Sequence, residues 1–118
     1  MKQNDALVQS LIECARTCDM CADACLNEQD VKMLARCIKL DLDCAEICYE
    51  GARLIQRNSE IAQQFISVCE KVCTMCQQEC EKHRDHHDHC AKCADACKRC
   101  AEACRNFHSV NVTDQEMR

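Results

Sequence analysis

The amino-acid sequence predicts an all-α fold, an antiparallel up-down four-helix bundle with a cysteine-lined core. The 118 residues include one glycine and no proline, so few residues interrupt long helices. Cysteines recur at helical spacing in four segments, and the short breaks between these segments favour antiparallel neighbours. The length suits a single core, so we expect one four-helix-bundle domain spanning residues 1–118.

The first helix is expected over about residues 4–26, with Asn4 or Asp5 as its N-cap. Its cysteines follow the spacing C-x3-C-x2-C-x3-C and are Cys14, Cys18, Cys21 and Cys25. Leu7 and Leu11 precede them on the same face. A polar break at residues 27–29 ends this helix, and Asp30 is the next expected cap.

The second helix is expected over about residues 30–57 and carries Cys37, Cys44 and Cys48. Asp41 occupies the position where the spacing of the first helix would place a fourth cysteine. Charged side chains gather roughly opposite these thiols, so the cysteines are predicted to lie on the buried face. Asn58 and Ser59 form the next break.

The third and fourth helices are expected over about residues 59–83 and 86–107. Both repeat the spacing of the first helix, in Cys69, Cys73, Cys76 and Cys80 and in Cys93, Cys97, Cys100 and Cys104. Cys90 lies close to the same stripe, nearly one turn before Cys93. Residues 83–89 are rich in histidine, and residues 108–118 form a polar tail that we expect to be frayed.

The shared spacing places cysteine where a helical bundle normally has leucine. Positions 0, 4, 7 and 11 lie on one narrow stripe of a helix and face the core. A thiol contributes less on burial than the ~1.5–3 kcal/mol of a large apolar side chain. Cysteine as a small hydrophobe would explain one or two such positions, but not four aligned stripes. The stripes therefore predict that something else stabilises this core.

Antiparallel connection gives the bundle two different ends. One end is predicted to be an apolar plug, formed by side chains that include Leu7, Leu11, Ile55, Ile66 and Phe107. The other end collects metal-binding side chains from the histidine-rich segment and from Met33. We therefore expect a closed end and a mouth.

Rows of thiols predict binding of a soft or borderline metal ion. Zinc requires a closed tetrahedral cage for each ion, and Fe–S clusters usually use tight cysteine loops with glycine and proline. Cu(I) accepts two or three thiolates and tolerates bridging sulfur, so parallel thiol rows suit it best. With one to two thiolates per ion, sixteen cysteines would hold roughly 8 to 16 Cu(I).

Four helices with C-x3-C repeats and a His/Met-bearing end resemble the copper storage proteins, a family of cysteine-rich four-helix bundles. The resemblance covers about residues 7–107 and implies reversible storage of many Cu(I) ions, with uptake at the His/Met end. It also implies a homotetramer and the cytosolic branch of the family, because the N-terminus has no signal-like apolar run. Asp41 departs from the repeat and is expected to leave a local gap in the copper array.

The predicted metal ligands are the sixteen cysteines together with four side chains near the mouth. Met33 precedes Cys37 by one turn and is expected on the thiol stripe. His89 is expected to point away from Cys90, which it directly precedes. Cys90 is assigned to the uptake site and the other cysteines of the fourth helix to the storage array. The four additional ligands are Met33, His83, His86 and His87.

Other functional classes receive less support from the sequence. The formal charge of −5 gives no electrostatic reason to bind nucleic acid or anionic membrane, and no catalytic arrangement is visible, so we do not expect an enzyme. A disulfide-stapled helical interaction module and an Fe–S or zinc thiolate protein remain the alternatives. The expected partners are copper ions and a copper chaperone or chelator, in the cytoplasm.

Overall fold

The computed structural model describes the backbone of residues 2–117 and the side chains of residues 4–107. Within this part of the chain there are four helices and no strand: α1 (Lys2–Leu26), α2 (Ala35–Gln56), α3 (Ala62–Glu81) and α4 (Asp88–Met117). Each helix packs against its neighbours in sequence, and α1 also packs against α4. The all-α prediction is confirmed, with the helices arranged as an up-down bundle.

The breaks between helices are longer than predicted at three places. α2 begins at Ala35 instead of residue 30, because residues 30–34 form turns in which Met33 N–H donates to Asp30 O at 3.0 Å. α3 covers Ala62–Glu81 instead of 59–83, and α4 begins at Asp88 instead of 86. Helix propensity alone does not predict such turns, because most of the residues in them are also tolerated in helices.

The predicted end of the fourth helix at residue 107 is also wrong, since α4 continues to Met117. Residues 108–117 contain no glycine or proline to end a helix. The predicted polar tail therefore has a helical backbone over most of its length. The side chains of residues 108–118 lie outside the described residues.

The α2–α3 connection ends α2 with a residue in the left-handed region. Asn58 has φ of 54°, and Ser59 N–H donates to Leu54 O at 3.0 Å while Asn58 N–H donates to Ile55 O at 3.1 Å. These bonds satisfy carbonyls at the C-terminus of the helix, and asparagine tolerates the positive φ better than most residues. The turn brings α3 back antiparallel to α2.

The apolar end, formed by Leu7, Leu11, Ile55, Ile66 and Phe107, closes one end of the bundle. Leu11 and Ile66 are fully buried, and Phe107 packs against the buried cluster. We call the opposite end the mouth; it comprises Cys25, His89, Cys90 and the turns at residues 27–34 and 82–87. Among the described residues, no helix is long and apolar enough to cross a membrane.

Candidate metal centre

The thiol section is the part of the core lined by the sixteen cysteines. Every one of these side chains is at most 1% exposed, and none is in a disulfide. The helices achieve this because the repeated spacing keeps each cysteine on the stripe that faces the bundle axis. Sequence alone therefore places the thiols on the correct face of each helix.

Sulfur atoms from different helices lie close together in the middle of the bundle. Cys48 Sγ is 3.5 Å from Cys73 Sγ, Cys44 Sγ is 3.8 Å from Cys73 Sγ, and Cys14 Sγ is 3.9 Å from Cys44 Sγ. The sulfur atoms of Cys14, Cys44, Cys48 and Cys73 form one group in which all four lie within 4.8 Å of one another. Metal–thiolate bonds of ~2.3 Å place two sulfurs about 3.8–4.0 Å apart in tetrahedral or trigonal geometry. The observed separations fit such bonds.

Neighbouring four-sulfur groups share members along the bundle axis. Cys14 and Cys44 also form a group with Cys18 and Cys97, which in turn belong to a third group completed by Cys76 and Cys93. Each shared sulfur can serve two groups at once, which suits ions that accept bridging thiolates and does not suit isolated tetrahedral cages. The arrangement is a continuous array instead of a set of separate sites.

Asp41 lies inside the thiol section and is fully buried. Its Oδ1 accepts hydrogen bonds from Cys76 Sγ at 3.2 Å and from Cys93 Sγ at 3.3 Å. The same carboxyl group belongs to a four-ligand group with Cys21, Cys37 and Cys80. The structure thus places an oxygen donor at the position where the sequence predicts a gap in the array.

Burial keeps Cys25 and Asp41 protonated in the metal-free protein. It raises the pKa of Cys25 to about 12, and it raises the pKa of Asp41 to about 11. At neutral pH both groups therefore carry a proton and no charge. A cation that binds their sulfur or oxygen must displace that proton, so metal binding here releases protons.

His89 lies at the mouth and contacts three thiols, contrary to the prediction that it points away. Its Nδ1 is 3.5 Å from Cys90 Sγ, 3.6 Å from Cys21 Sγ and 3.7 Å from Cys25 Sγ. The prediction failed because it used the stripe of one helix, whereas two of these thiols belong to the adjacent α1. No local spacing signal identifies such a contact between helices.

The predicted histidine ligands of the mouth are placed differently from His89. His83 Nε2 is 3.2 Å from Glu79 Oε2, and His86 is exposed. His87 has Glu28 Oε2 3.1 Å from Nδ1 and Asp30 Oδ2 3.0 Å from Nε2. The hydrogen bond to Asp30 is the main cause that raises the pKa of His87. These contacts place carboxylates at His83 Nε2 and at both ring nitrogens of His87.

Met33 is not on the thiol stripe, so its predicted position is wrong. It lies in the turn before α2 and is 69% exposed, while the adjacent Leu34 is fully buried. The prediction assumed a helix from residue 30, and the turn changes the direction of the side chain. Met33 lies at the mouth, on its outer surface.

Gly51 makes room for a thiol where the thiol section meets the apolar end. A Cβ at this position would lie 2.7 Å from Cys69 Sγ, closer than such atoms approach, with Leu11 Cδ1 3.7 Å away. Cys69 Sγ donates to Ile47 O at 3.5 Å. The single glycine of the chain is thus required for a close approach, a role that the sequence does not reveal.

Comparison with known proteins is consistent with this geometry. The copper storage protein family model matches residues 1–109. A copper-loaded cytosolic copper storage protein from Streptomyces lividans, with five coppers, is 34% identical, with a TM-score of 0.89 and coverage of 92% of this chain and 93% of that chain.

Two further solved structures are similar. The Streptomyces lividans protein loaded with 10 copper equivalents has 34% identity, a TM-score of 0.89 and coverage of 92% of this chain and 85% of that chain. Metal-free copper storage protein 3 from Bacillus subtilis has 38% identity, a TM-score of 0.82 and coverage of 88% of this chain and 97% of that chain. A search of curated proteins found no match. On the family match and these structures, the chain belongs to the copper storage protein family.

Proposed function

We propose that this protein stores copper by binding many Cu(I) ions through the thiols that line its core. The observation that carries the proposal is the sharing of buried sulfur atoms between adjacent four-ligand groups, at separations of 3.5–4.0 Å. Shared thiolates allow more ions than separate cages would, and Cu(I) is the soft ion that tolerates such bridging. Each thiol that binds an ion loses its proton to solvent.

The proposed ligands are the sixteen cysteines, with His89 and Asp41 added by their positions in the structure. Uptake at the mouth is supported by the placement of Cys25, Cys90 and His89 together at the end of the array opposite the apolar end. His83, His86, His87 and Met33 stay predicted contributors to uptake, acting outside the array. The apolar end gives Cu(I) no ligands and favours a single route of uptake and release.

The proposal also includes a cytoplasmic location, assembly into a homotetramer, and a copper chaperone or chelator as the copper donor. The cytosolic relative supports the location. Exposed apolar side chains on or next to α2 and α3 support self-association, and they are Leu42, Tyr49, Ile61 and Val68. Size-exclusion chromatography with light scattering tests the tetramer directly.

An anaerobic titration of reduced protein against a Cu(I) chelator tests storage. We expect at least roughly 8 Cu(I) per chain, whereas tetrahedral zinc cages would limit the same thiols to roughly four Zn²⁺. Cys→Ser substitutions should lower the capacity stepwise. Uptake of only one or two Cu(I) would contradict the proposal, and few titratable thiols after metal removal would favour the disulfide-stapled alternative.

A further inference from the structure

Glu28 lies in the turn between α1 and α2, outside the thiol section, and connects two histidines of the mouth. Its Oε2 is 2.9 Å from His89 Nε2 and 3.1 Å from His87 Nδ1. Asp30 Oδ2 lies on the other side of the same ring, 3.0 Å from His87 Nε2. A hydrogen-bonded chain thus runs from Asp30 through His87 and Glu28 to His89.

The direction of each hydrogen bond between these four side chains follows from its acceptor. An ionised carboxylate can only accept, so both ring nitrogens of His87 donate and His89 Nε2 donates to Glu28. A neutral imidazole that carries its proton on Nε2 has a lone pair on Nδ1. In His89, Nδ1 is the atom that faces Cys21, Cys25 and Cys90 at 3.5–3.7 Å.

We propose that Glu28 is a positioning residue for copper uptake: it fixes the Nε2–H tautomer of His89 and directs the Nδ1 lone pair at the outermost thiols. A Cu(I) ion that reaches the mouth then meets one nitrogen and three sulfur donors already oriented. Carboxylate partners of ligating histidines act in this way in many metal sites. The inference rests on the copper storage function proposed above.

Glu28 itself is held in place by His87. The Glu28 side chain is 35% exposed and belongs to a turn, so it has few constraints of its own. His87 is 11% exposed and is bound on both nitrogens, which ties Glu28 to Asp30. This gives His87 a supporting role in the mouth, distinct from the ligand role that the sequence predicts.

The test uses the full-length metal-free protein and the variants Glu28→Ala, Glu28→Gln and Asp85→Ala. Glutamine keeps an oxygen that accepts from His89 Nε2–H, whereas alanine does not. Asp85 is an exposed carboxylate in the other turn of the mouth and controls for the loss of charge. Two measurements are made: the ¹⁵N shifts of the His89 ring, and the stopped-flow rate of uptake of the first Cu(I) equivalent from a chelator.

We expect the Nε2–H tautomer in the wild type and in Glu28→Gln, and a mixture of tautomers in Glu28→Ala. Uptake should slow about 10-fold in Glu28→Ala, recover in Glu28→Gln and stay unchanged in Asp85→Ala, with full capacity throughout. An unchanged tautomer and rate in Glu28→Ala, or equal slowing in Asp85→Ala, would overturn the inference while leaving storage intact. A wild type that binds only one or two ions would instead refute the storage function.

Discussion

The apolar end and the thiol section are built on the same helices but are stabilised differently. At the apolar end, Leu11 and Ile66 are fully buried and contribute on the order of 1.5–3 kcal/mol each. In the thiol section, equally buried positions hold cysteine, which contributes less. That section also contains Asp41, whose burial as a charged group would be unfavourable.

This difference separates folding from metal binding. The apolar end can hold the helices together before any ion is bound, so the thiols can be arranged in advance around the protonated Asp41. Copper binding then adds stability to the section that has least of its own, because any ligand that binds only the folded state stabilises it. We therefore expect the fold to form without metal, in contrast to small domains organised around a structural zinc.

Asp41→Asn should produce the largest effect on the metal-free protein, raising its free energy of unfolding by up to about 4 kcal/mol at pH 7. Folding raises the pKa of this carboxyl from 3.8 to about 11, so it must take up a proton when the chain folds at neutral pH. The contribution of the neutral Asp41 side chain to the free energy of unfolding is fully present below about pH 4. It decreases as the pH rises towards 11, the pKa of this group in the folded protein. Each intervening pH unit is worth about 1.4 kcal/mol.

Denaturant unfolding of metal-free wild type, Asp41→Asn and Asp43→Asn between pH 5 and pH 9 measures this effect. Asp43 is an exposed carboxylate on the same helix and serves as the control. We expect the stability gain of Asp41→Asn to grow with pH. Equal behaviour of the two asparagine variants would show that the thiol section does not carry this cost.

Leu11→Ala should lower the stability of the metal-free protein by about 3 kcal/mol and leave the copper capacity unchanged, because it opens a cavity in the apolar end. Cys97→Ala, at an equally buried position, should cost about 1 kcal/mol and lower the capacity. Denaturant unfolding and Cu(I) titration of both variants give the comparison. The proposed division of roles fails if Cys97→Ala destabilises the protein as much as Leu11→Ala.

Gly51→Ala should have a small effect, lowering the free energy of unfolding by about 1 kcal/mol. Alanine gains up to ~1 kcal/mol in helix propensity, but its Cβ would meet Cys69 Sγ at 2.7 Å, and such overpacking costs about 1–3 kcal/mol. A double-mutant cycle with Cys69→Ala tests the cause. On that background Gly51→Ala should become neutral or stabilising. A penalty that persists would mean that Leu11 or Ile66, not the thiol, sets the limit.

The thiol section was predictable from the sequence because its signal is local. Four segments repeat one spacing, and the geometry of a helix places such positions on one face whatever the neighbouring helices do. That spacing and the short breaks predict the fold class, the burial of the cysteines and the difference between the two ends. The resemblance to the copper storage family rested on the same residues and was confirmed.

The mouth was less predictable because its contacts join different segments. Met33 was misplaced when a turn replaced the first part of the predicted second helix. The spacing within the fourth helix predicts that His89 points away from the thiols. The structure places its ring beside Cys21 and Cys25, which belong to α1. Side chains in turns depend on backbone directions that hydrophobic periodicity does not encode.

The sequence by itself determined that helices form, which face of each is buried and which chemistry that face offers. Only the tertiary structure decided which sulfurs from different helices share a group, that Asp41 completes one of them, and that Glu28 and His89 meet at the mouth. The physical reason is the range of the interactions. Helix periodicity is fixed by hydrogen bonds four residues apart, whereas these contacts depend on how whole helices pack against one another.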